Sequence, residues 1–221
     1  LLLENFYVED RQQDTLLFAK SLQVDINTFT FFREKKFFVE DITLKKARFN
    51  LHRSADTTAF NTAFLDELFA PKKEKNTTDT SAVSSNANNK KAWLLKANHL
   101  YIDDAIFNLN DELKGTKLRI NLPKGEVGFN IIDPIGRILD LNNLRLTNVQ
   151  ISLRKGRDRS VKSEKKSKKP KKKWTVKLDK GKLDNALFDF DNDLKAYREE
   201  GLDFNHLYLS DIDIRLDDFA Y

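Results

Sequence analysis

The amino-acid sequence predicts an all-β protein built from many short strands, each apolar on one face and polar on the other. Three observations support this prediction. Apolar and polar residues alternate with a period of two, as in Leu22–Ile26 and Leu118–Leu122. Hydrophobic residues make up 40% of the 221-residue chain and charged residues 33%, which is enough apolar material to cover one face of a sheet. A strand pattern also recurs along the chain, which favours an extended array over a unique globule.

The recurring unit reads apolar–x–apolar, two mostly polar residues, then apolar–x–apolar–x–apolar. It occupies residues 42–51, 100–109, 144–153, 181–190 and 207–216, with Gly181 as an exception at its first position. The two polar residues shift the alternation by one position, yet the apolar set resumes on the same face. A β-bulge and a two-residue hairpin turn would each produce this shift, and the sequence does not choose between them.

A longer repeat relates Trp93–Leu113 to Trp174–Leu194 and helps to divide the chain into three β segments. These segments span residues 1–70, 92–153 and 174–221, and they are separated by polar insertions at 71–91 and 154–173. Both insertions contain almost no apolar residues and are predicted to be disordered, because they cannot offset the entropy cost of ordering. Strand patterns already run at both ends, so we expect a fragment of a longer polypeptide whose third segment continues beyond it.

One segment, about residues 57–70, has helical spacing, with Phe60 and Phe64 on the same side, and it stops at Pro71. We predict one short amphipathic helix there, either docked on the sheet as a cap or lying on a membrane surface. The residues Pro123-Lys124-Gly125 predict a turn between two strands.

The net charge of +5 is concentrated in the second insertion, where residues 154–173 hold twelve Lys/Arg against Asp158 and Glu164. The rest of the chain is net acidic, which disfavours binding to the phosphate backbone of nucleic acid. The basic insertion has three interpretations: a solvated loop without a partner, a contact for anionic lipid headgroups, or a nucleic-acid contact. The last is disfavoured because no aromatic residue interleaves the lysines to stack on bases.

Catalytic and metal-binding patterns are weak in this sequence. There is no Cys, which excludes thiolate chemistry, and His52, His99 and His206 are each isolated in a strand or at its edge. Paired Asp residues occupy positions that the alternation assigns to turns or to solvent. We therefore predict a protein that is not an enzyme and that uses no cofactor and no metal. A buried His–carboxylate pair would reopen the enzyme alternative.

The apolar face of the repeated strands is the candidate site. The predicted lining residues are Leu100, Ile102, Ala105, Phe107, Leu109, Leu144, Leu146, Val149, Ile151, Leu153, Leu183, Ala186, Phe188, Leu207, Leu209, Ile212, Ile214 and Leu216. Periodicity alone leaves two alternatives open, because such a face can line an open groove or form the core of a closed β-sandwich.

The opening segment, residues 1–26, resembles a segment near the start of TamB-like proteins of the Bacteroidota. The residues that carry this resemblance are Asn5, Tyr7, Val8, Glu9, Asp10, Asp14, Thr15, Leu16, Leu17, Ala19, Leu22, Val24, Asp25 and Ile26. The phase-shifted repeat, with Trp93 or Trp174 opening a strand after a charged insertion, is also similar to that family and to AsmA-type relatives.

The resemblance implies a long, twisted, taco-shaped β-groove whose apolar interior conducts phospholipids between two membranes. We predict a continuous, antiparallel, strongly twisted and open β-groove. The resemblance further implies a periplasmic part of an inner-membrane-anchored protein of a Gram-negative cell envelope, meeting an outer-membrane barrel of the TamA/BamA type. Two alternatives remain for the function: a scaffold that offers strand edges to outer-membrane or surface proteins during assembly, and a closed β-sandwich with a structural role.

Overall fold

The computed structural model describes residues 1–26, 38–64, 96–133, 136–160 and 174–221. Within them the chain forms nine β-strands, which confirms the prediction of an all-β protein. The strands are β1 (Leu2–Glu9), β2 (Thr15–Ile26), β3 (Phe38–Arg53), β4 (Lys96–Asp111), β5 (Thr116–Asp133), β6 (Ile138–Thr147), β7 (Gln150–Lys155), β8 (Thr175–Asn192) and β9 (His206–Ala220).

All nine strands belong to one sheet, in which neighbours in sequence are neighbours in space. Strands β6 and β7 are two halves of one interrupted strand, because both pair with β5 on one side and with β8 on the other. Over the described part of the chain no second sheet exists to pack against Leu100, Leu146 or Leu209. The described strands therefore do not form the two-sheet β-sandwich that was one of the alternatives.

The prediction of a wholly antiparallel sheet is wrong, because the sheet is mixed. Strand β3 pairs in parallel with β4, and β8 pairs in parallel with both β6 and β7. Parallel neighbours need a long connection that returns the chain to its starting end, whereas antiparallel neighbours need only a tight turn. The two polar insertions lie in these two connections. The sheet is thus built from antiparallel three-strand modules, joined to one another in parallel.

The two polar residues lie inside a strand in four copies of the repeat and at the break between β6 and β7 in the fifth, and in no copy do they form a hairpin turn. The second of the two has a left-handed backbone in every copy, with φ of 49° at Lys46, 62° at Asp104, 57° at Asn148, 52° at Asn185 and 54° at Asp211. Pairing continues without a register shift across this point between β3 and β4 and between β4 and β5, and a shift is found between β8 and β9. A single left-handed residue therefore produces the phase change, with a register-shifting bulge only at β8–β9 among these pairs.

The turn predicted at Pro123-Lys124-Gly125 is also wrong, since these residues lie in the middle of β5. Asp103 pairs with Lys124 and Ala105 pairs with Leu122, so Pro123 lies level with the left-handed Asp104. Because β5 runs antiparallel to β4, the pair Pro123-Lys124 interrupts the alternation of β5 at the same level as Asp103-Asp104 interrupts that of β4. A proline fits at this position because its own φ is fixed and the regular alternation is already broken.

The short helix predicted at 57–70 is not seen. Among the described residues of this segment, 58–59 form a bend, 61–62 form a turn and only 63–64 are helical, and residues 65–70 lie outside the described residues. The side chain of Asn61 accepts from the backbone N–H of His52 at 3.0 Å and donates to Asp10 at 3.0 Å. These bonds tie the segment to the ends of the strands, so the chain turns back where propensity alone predicts a helix.

The insertion predicted from residue 154 begins later in the structure. Arg154 and Lys155 complete β7, and residues 156–160 run against the turn between β4 and β5. The Arg159 N–H donates to the Leu113 carbonyl at 2.9 Å, and Lys114 Nζ bonds Asp158 at 3.1 Å. The rest of this insertion and all of 71–91 lie outside the described residues.

Candidate functional site

The pairing register assembles the repeated strands into five apolar rows that cross the sheet from β3 to β9. We call these rows together the apolar stripe. The rows are Ile42, Leu100, Val127, Leu144, Gly181 and Leu216; Leu44, Ile102, Gly125, Leu146, Leu183 and Ile214; Ala47, Ala105, Leu122, Val149, Ala186 and Ile212; Phe49, Phe107, Ile120, Ile151, Phe188 and Leu209; and Leu51, Leu109, Leu118, Leu153, Phe190 and Leu207. Every predicted lining residue lies in the stripe.

The prediction missed the members of the stripe on β3 and β5. Strand β3 carries a copy of the repeat, at 42–51, but its apolar residues were not included in the predicted lining. Strand β5 gives the same pattern in reverse order, and reading it backwards would have found Leu118, Ile120 and Leu122. Strands β1 and β2 extend the central rows further, since Phe6 pairs with Ala19 and Ala19 pairs with Ala47.

The depth of burial varies systematically across the stripe. The row beside the left-handed residues has alanine on four strands and includes the most buried side chains of the stripe, with Ala19 fully buried, Val149 1% exposed and Ala186 2% exposed. Side chains in the flanking rows are mostly half-buried, and on β9 they are open to solvent, with Ile214 41% exposed. The deepest line in this apolar face therefore follows the line along which the strand alternation breaks.

Two glycines interrupt the rows without leaving gaps in them. A Cβ atom placed on Gly125 would lie 3.0 Å from Leu122 Cδ2 and 3.3 Å from Leu146 Cδ2. The leucine side chains of neighbouring positions thus lean over the glycine and close the stripe. At Gly181 the side chain of Leu178 fills the same role, 2.8 Å from the position of an added Cβ.

Aromatic rings are concentrated on one side of the deepest row. Phe49 and Phe107 pair across β3 and β4, and their rings stack with centroids 5.5 Å apart and an interplanar angle of 13°. Phe188 lies in the same row, next to Ile151 of β7. The rows on the other side are aliphatic, so the two sides of the stripe differ in chemical character.

The opposite face of the sheet is polar and is tied together by side-chain hydrogen bonds between strands. Asn108 donates to Asn50 at 2.9 Å, and Asn121 donates to Gln150 at 3.2 Å. At the phase change itself, Asn185 donates to the side chain of Asn148 at 2.7 Å. These bonds join neighbouring strands across the polar face, and no second sheet among the described strands covers the apolar stripe.

Each histidine lies near a carboxylate of another strand or turn, which the sequence did not reveal. His52 is 3.5 Å from Glu112, His99 is 3.0 Å from Asp41, and His206 is 2.6 Å from Asp191. The His206 ring is the most buried of the three, and it stacks on Tyr197 with centroids 3.8 Å apart.

Both ring nitrogens of His206 are already engaged. Nδ1 meets the Asp191 carboxylate, and Nε2 lies 3.0 Å from the Lys195 carbonyl, which can only accept. Burial of the ring would lower the pKa of His206, but these hydrogen bonds outweigh burial and raise it. From the start of β9, both ring nitrogens therefore contact residues at or just after the end of β8, so this pair ties the hairpin between β8 and β9 together.

No group of three or more His, Asp or Glu side chains suited to hold a metal ion occurs among the described residues. The same part of the chain has no helix long and apolar enough to cross a bilayer. Comparison with family models, curated proteins and solved structures returned no match to this chain.

Proposed function

We propose that the apolar stripe shelters the acyl chains of phospholipids, and that the chain is a segment of a TamB/AsmA-like periplasmic bridge for lipid transport between membranes. The observation that carries the proposal is the continuity of the stripe, whose rows remain apolar from strand to strand without a polar break. Such a segment performs no chemical step. It lowers the free energy of a hydrocarbon tail that has left a bilayer.

The size of the stripe fits this cargo. Its central rows cross eight strand positions, so at a spacing of about 4.8 Å the stripe is roughly 34 Å long. Half of a bilayer's hydrocarbon core, the depth of one acyl chain, is about 15 Å. The stripe is also about 30 Å wide along the strands at about 3.3 Å per residue, which gives the face an outline of about 1,000 Å².

The line of left-handed residues supports a groove and not a flat face. Ala47, Ala105 and Ala186 lie along this line, and the larger side chains of the flanking rows stand on either side of it. In the proposed groove, a crease of the sheet along this line would bring the flanking rows towards each other as two walls. A tail between two walls loses more contact with water than a tail on a flat face.

The energetics explain why continuity matters. Each methylene group left in water costs about 0.8 kcal/mol, so a tail of about 16 carbons costs roughly 13 kcal/mol when fully exposed. A polar gap of more than one or two carbons would impose a barrier of several kcal/mol. The leaning leucines at Gly125 and Gly181 close the positions where such gaps would otherwise occur.

The cellular setting is part of the same proposal and rests on the resemblance of residues 1–26 to TamB-like proteins. We propose a periplasmic location in a Gram-negative cell envelope, an inner-membrane anchor on the full-length protein, and an outer-membrane barrel of the TamA/BamA type as the partner.

The test introduces a charge into the stripe. Ile151→Arg places a guanidinium in the aromatic row, and we expect the amount of phospholipid that co-purifies with the chain to fall, because the tail would have to pass a charge. Phe107→Arg and Ile214→Arg should act in the same way on β4 and β9. Gln150→Arg is the matched control, since Gln150 is an exposed neighbour on the opposite face. Co-purifying lipid is measured by mass spectrometry after circular dichroism shows that each variant is folded.

Normal lipid occupancy and a normal outer-membrane barrier in folded Ile151→Arg would contradict the proposal. The scaffold alternative gives a different result in crosslinking experiments. Strands β1 and β9 each hydrogen-bond to a single neighbour among the described strands. Client proteins crosslinked to these two edges, in a chain that carries no lipid, would favour the scaffold.

A further inference from the structure

A cavity lies on the polar face of the sheet, at the ends of β4 and β7. The pairing register sets Asn110 of β4 beside Lys117 of β5, and Lys117 beside Arg154 of β7. These three residues alternate with members of the apolar stripe, so their side chains lie on the opposite face of the sheet. Arg157 and Arg159, from the segment that follows β7, also line the cavity. The cavity is therefore separate from the surface proposed to shelter acyl chains.

The cations of this cavity are not paired with acids of the chain. Four cationic side chains line it without a salt bridge to any described residue, namely those of Lys117, Arg154, Arg157 and Arg159. Asp191 lies beside Arg154 across β7 and β8, but its carboxylate is engaged by His206 at 2.6 Å. The neighbouring strand therefore does not neutralise Arg154.

The acids in the cavity walls are largely engaged elsewhere. Asp111 is held by the Arg53 guanidinium, and Glu112 lies 3.5 Å from His52. Asp193 is the remaining carboxylate in the walls. Four cations thus face one free carboxylate, which favours an anionic ligand.

Close backbone contact holds two of the cations in place. Gly156 N–H donates to the Gly115 carbonyl at 2.5 Å, and Arg159 N–H donates to the Leu113 carbonyl at 2.9 Å. A Cβ on Gly115 would lie 2.5 Å from the Arg157 carbonyl oxygen, and Gly115 has a left-handed φ of 63°. Glycine at this position allows the segment that carries Arg157 and Arg159 to lie directly against the turn between β4 and β5. The cavity therefore has a defined wall on this side.

A buried acceptor in the cavity wall also points to a ligand. Asn110 Oδ1 is buried and has no hydrogen-bond partner among the described residues, which is a costly state for a polar atom. The amide nitrogen of the same side chain is directed at Glu112, 3.5 Å away. A ligand that satisfies this wall must therefore bring a hydrogen-bond donor to Asn110 Oδ1, as well as negative charge to the cations.

The cavity continues along the polar face into a second one, whose walls include Asn108, Arg119 and Ser152. Amide, guanidinium and hydroxyl groups there can exchange hydrogen bonds with the hydroxyl groups of a ligand. The first cavity has a volume of about 380 Å³. Sites for small molecules have volumes of about 300–1,000 Å³, so this size favours a small molecule.

We propose that this cavity binds a small phosphorylated polyol. Its phosphate lies among Lys117, Arg154 and Arg157, and a neighbouring hydroxyl group donates to Asn110 Oδ1. Arginine binds a phosphate through paired charge-assisted hydrogen bonds, and lysine adds a point charge. The inference is independent of the acyl-chain function, because the apolar stripe lies on the other face of the sheet.

The test uses glycerol 3-phosphate as the probe, titrated into the full chain by calorimetry at low ionic strength. Inorganic phosphate and glycerol are titrated in parallel, since each carries one half of the proposed recognition. We expect saturable binding of glycerol 3-phosphate, weaker binding of inorganic phosphate and no binding of glycerol.

Two kinds of variant separate the roles of the cavity walls. Arg154→Gln and Arg157→Gln should each weaken binding of glycerol 3-phosphate about fivefold, somewhat less than the loss of a buried charge-assisted bond, because both side chains are exposed. Asn110→Ala should instead remove the preference for glycerol 3-phosphate over inorganic phosphate, because it deletes the acceptor of the hydroxyl group. Circular dichroism establishes that each variant is folded.

Arg145→Gln is the matched control. Arg145 is an exposed arginine on the same face of the sheet, on β6, and it lies outside both cavities. This variant loses the same charge, so it should bind glycerol 3-phosphate as the unaltered chain does.

Weaker binding in Arg154→Gln and Arg157→Gln, with Arg145→Gln unchanged, supports the proposal. Unchanged affinity in both cavity variants overturns it. Equal binding of inorganic phosphate and glycerol 3-phosphate by the unaltered chain identifies a free-phosphate site and overturns the assignment to a polyol. Co-sedimentation with phosphatidylglycerol vesicles, in a chain that does not bind soluble glycerol 3-phosphate, identifies a membrane-surface contact and also overturns the proposal.

Discussion

Replacement of Asn185 by valine tests whether a left-handed residue is needed at the phase change of each strand. Asn185 lies in the middle of β8 with a φ of 52° and is exposed. Its side chain donates to Asn148 at 2.7 Å, and its backbone N–H donates to Asp213 at 2.8 Å. Asparagine tolerates this backbone conformation better than most residues, and a β-branched side chain tolerates it least.

Two terms set the expected effect of Asn185→Val. A left-handed conformation costs an ordinary L-residue about 1–2 kcal/mol. Loss of the exposed bond to Asn148 adds about 0.5 kcal/mol. The free energy of unfolding should therefore fall by about 2 kcal/mol, and with a urea dependence of about 2 kcal/mol per molar the midpoint should fall by about 1 M. Asn185→Gly loses the same hydrogen bond but has no steric penalty, so its midpoint should change by about 0.3 M or less.

Urea unfolding of the full chain, followed by circular dichroism, measures these midpoints. Lys177→Val is the matched control, because Lys177 is an exposed residue of β8 without a left-handed backbone. Valine suits a regular strand, so this control should lie close to the unaltered chain. If Asn185→Val is as stable as Lys177→Val, the left-handed residue is not required and the account of the phase change given above is wrong.

Two further predictions concern ion pairs at the strand ends. Asp111 is only 6% exposed and is paired with Arg53. The substitution Asp111→Ala should therefore lower the free energy of unfolding, measured by chemical denaturation, by about 3 kcal/mol. The double variant Arg53→Met with Asp111→Leu should recover much of this loss. Burial raises the pKa of Asp111, but the hydrogen bonds from Arg53 and Lys114 outweigh burial and lower the pKa. The contribution of the pair to the free energy of unfolding is therefore complete above the unfolded pKa of 3.8 and is lost as the pH falls below that value. The pKa of His206 is raised above 6.5, so its contribution is complete below pH 6.5 and is lost as the pH rises through the folded pKa. After correction for the intrinsic rate, hydrogen exchange of the β8–β9 hairpin should therefore speed up as the pH rises above 6.5. The substitution His206→Gln should remove this pH dependence. The same pH dependence in His206→Gln would contradict the role assigned to His206.

The sequence predicted the strands and the apolar face because both depend on local alternation. The repeat at 100–109 and its copies assign each residue to a face before any pairing is known. The face was therefore predictable for Leu100, Phe107 and Ile151, and the register then aligned them in rows. The conformation of the polar pair was not predictable, since Lys46 and Asp104 have little in common except their backbone geometry.

Strand direction could not be predicted from alternation, because a strand has the same pattern in either direction. The clue was the length of the connections: the insertions after β3 and β7 are long enough for a return to the starting end, and each precedes a parallel strand. The histidine–carboxylate pairs were also hidden, because their members are distant in sequence. The pair formed by His99 and Asp41 depends on the alignment of β3 with β4.

The three strand positions in each of the first two modules give the sheet a constant polarity. The strands β3, β4, β7 and β8 all run in the same direction, so Arg53, Asp111, Lys155 and Asn192 end at one margin of the sheet. With an even number of strands, successive modules joined in parallel would point in opposite directions and alternate their margins. Further modules of this kind would therefore carry their strand ends along one continuous rim, however long the array became.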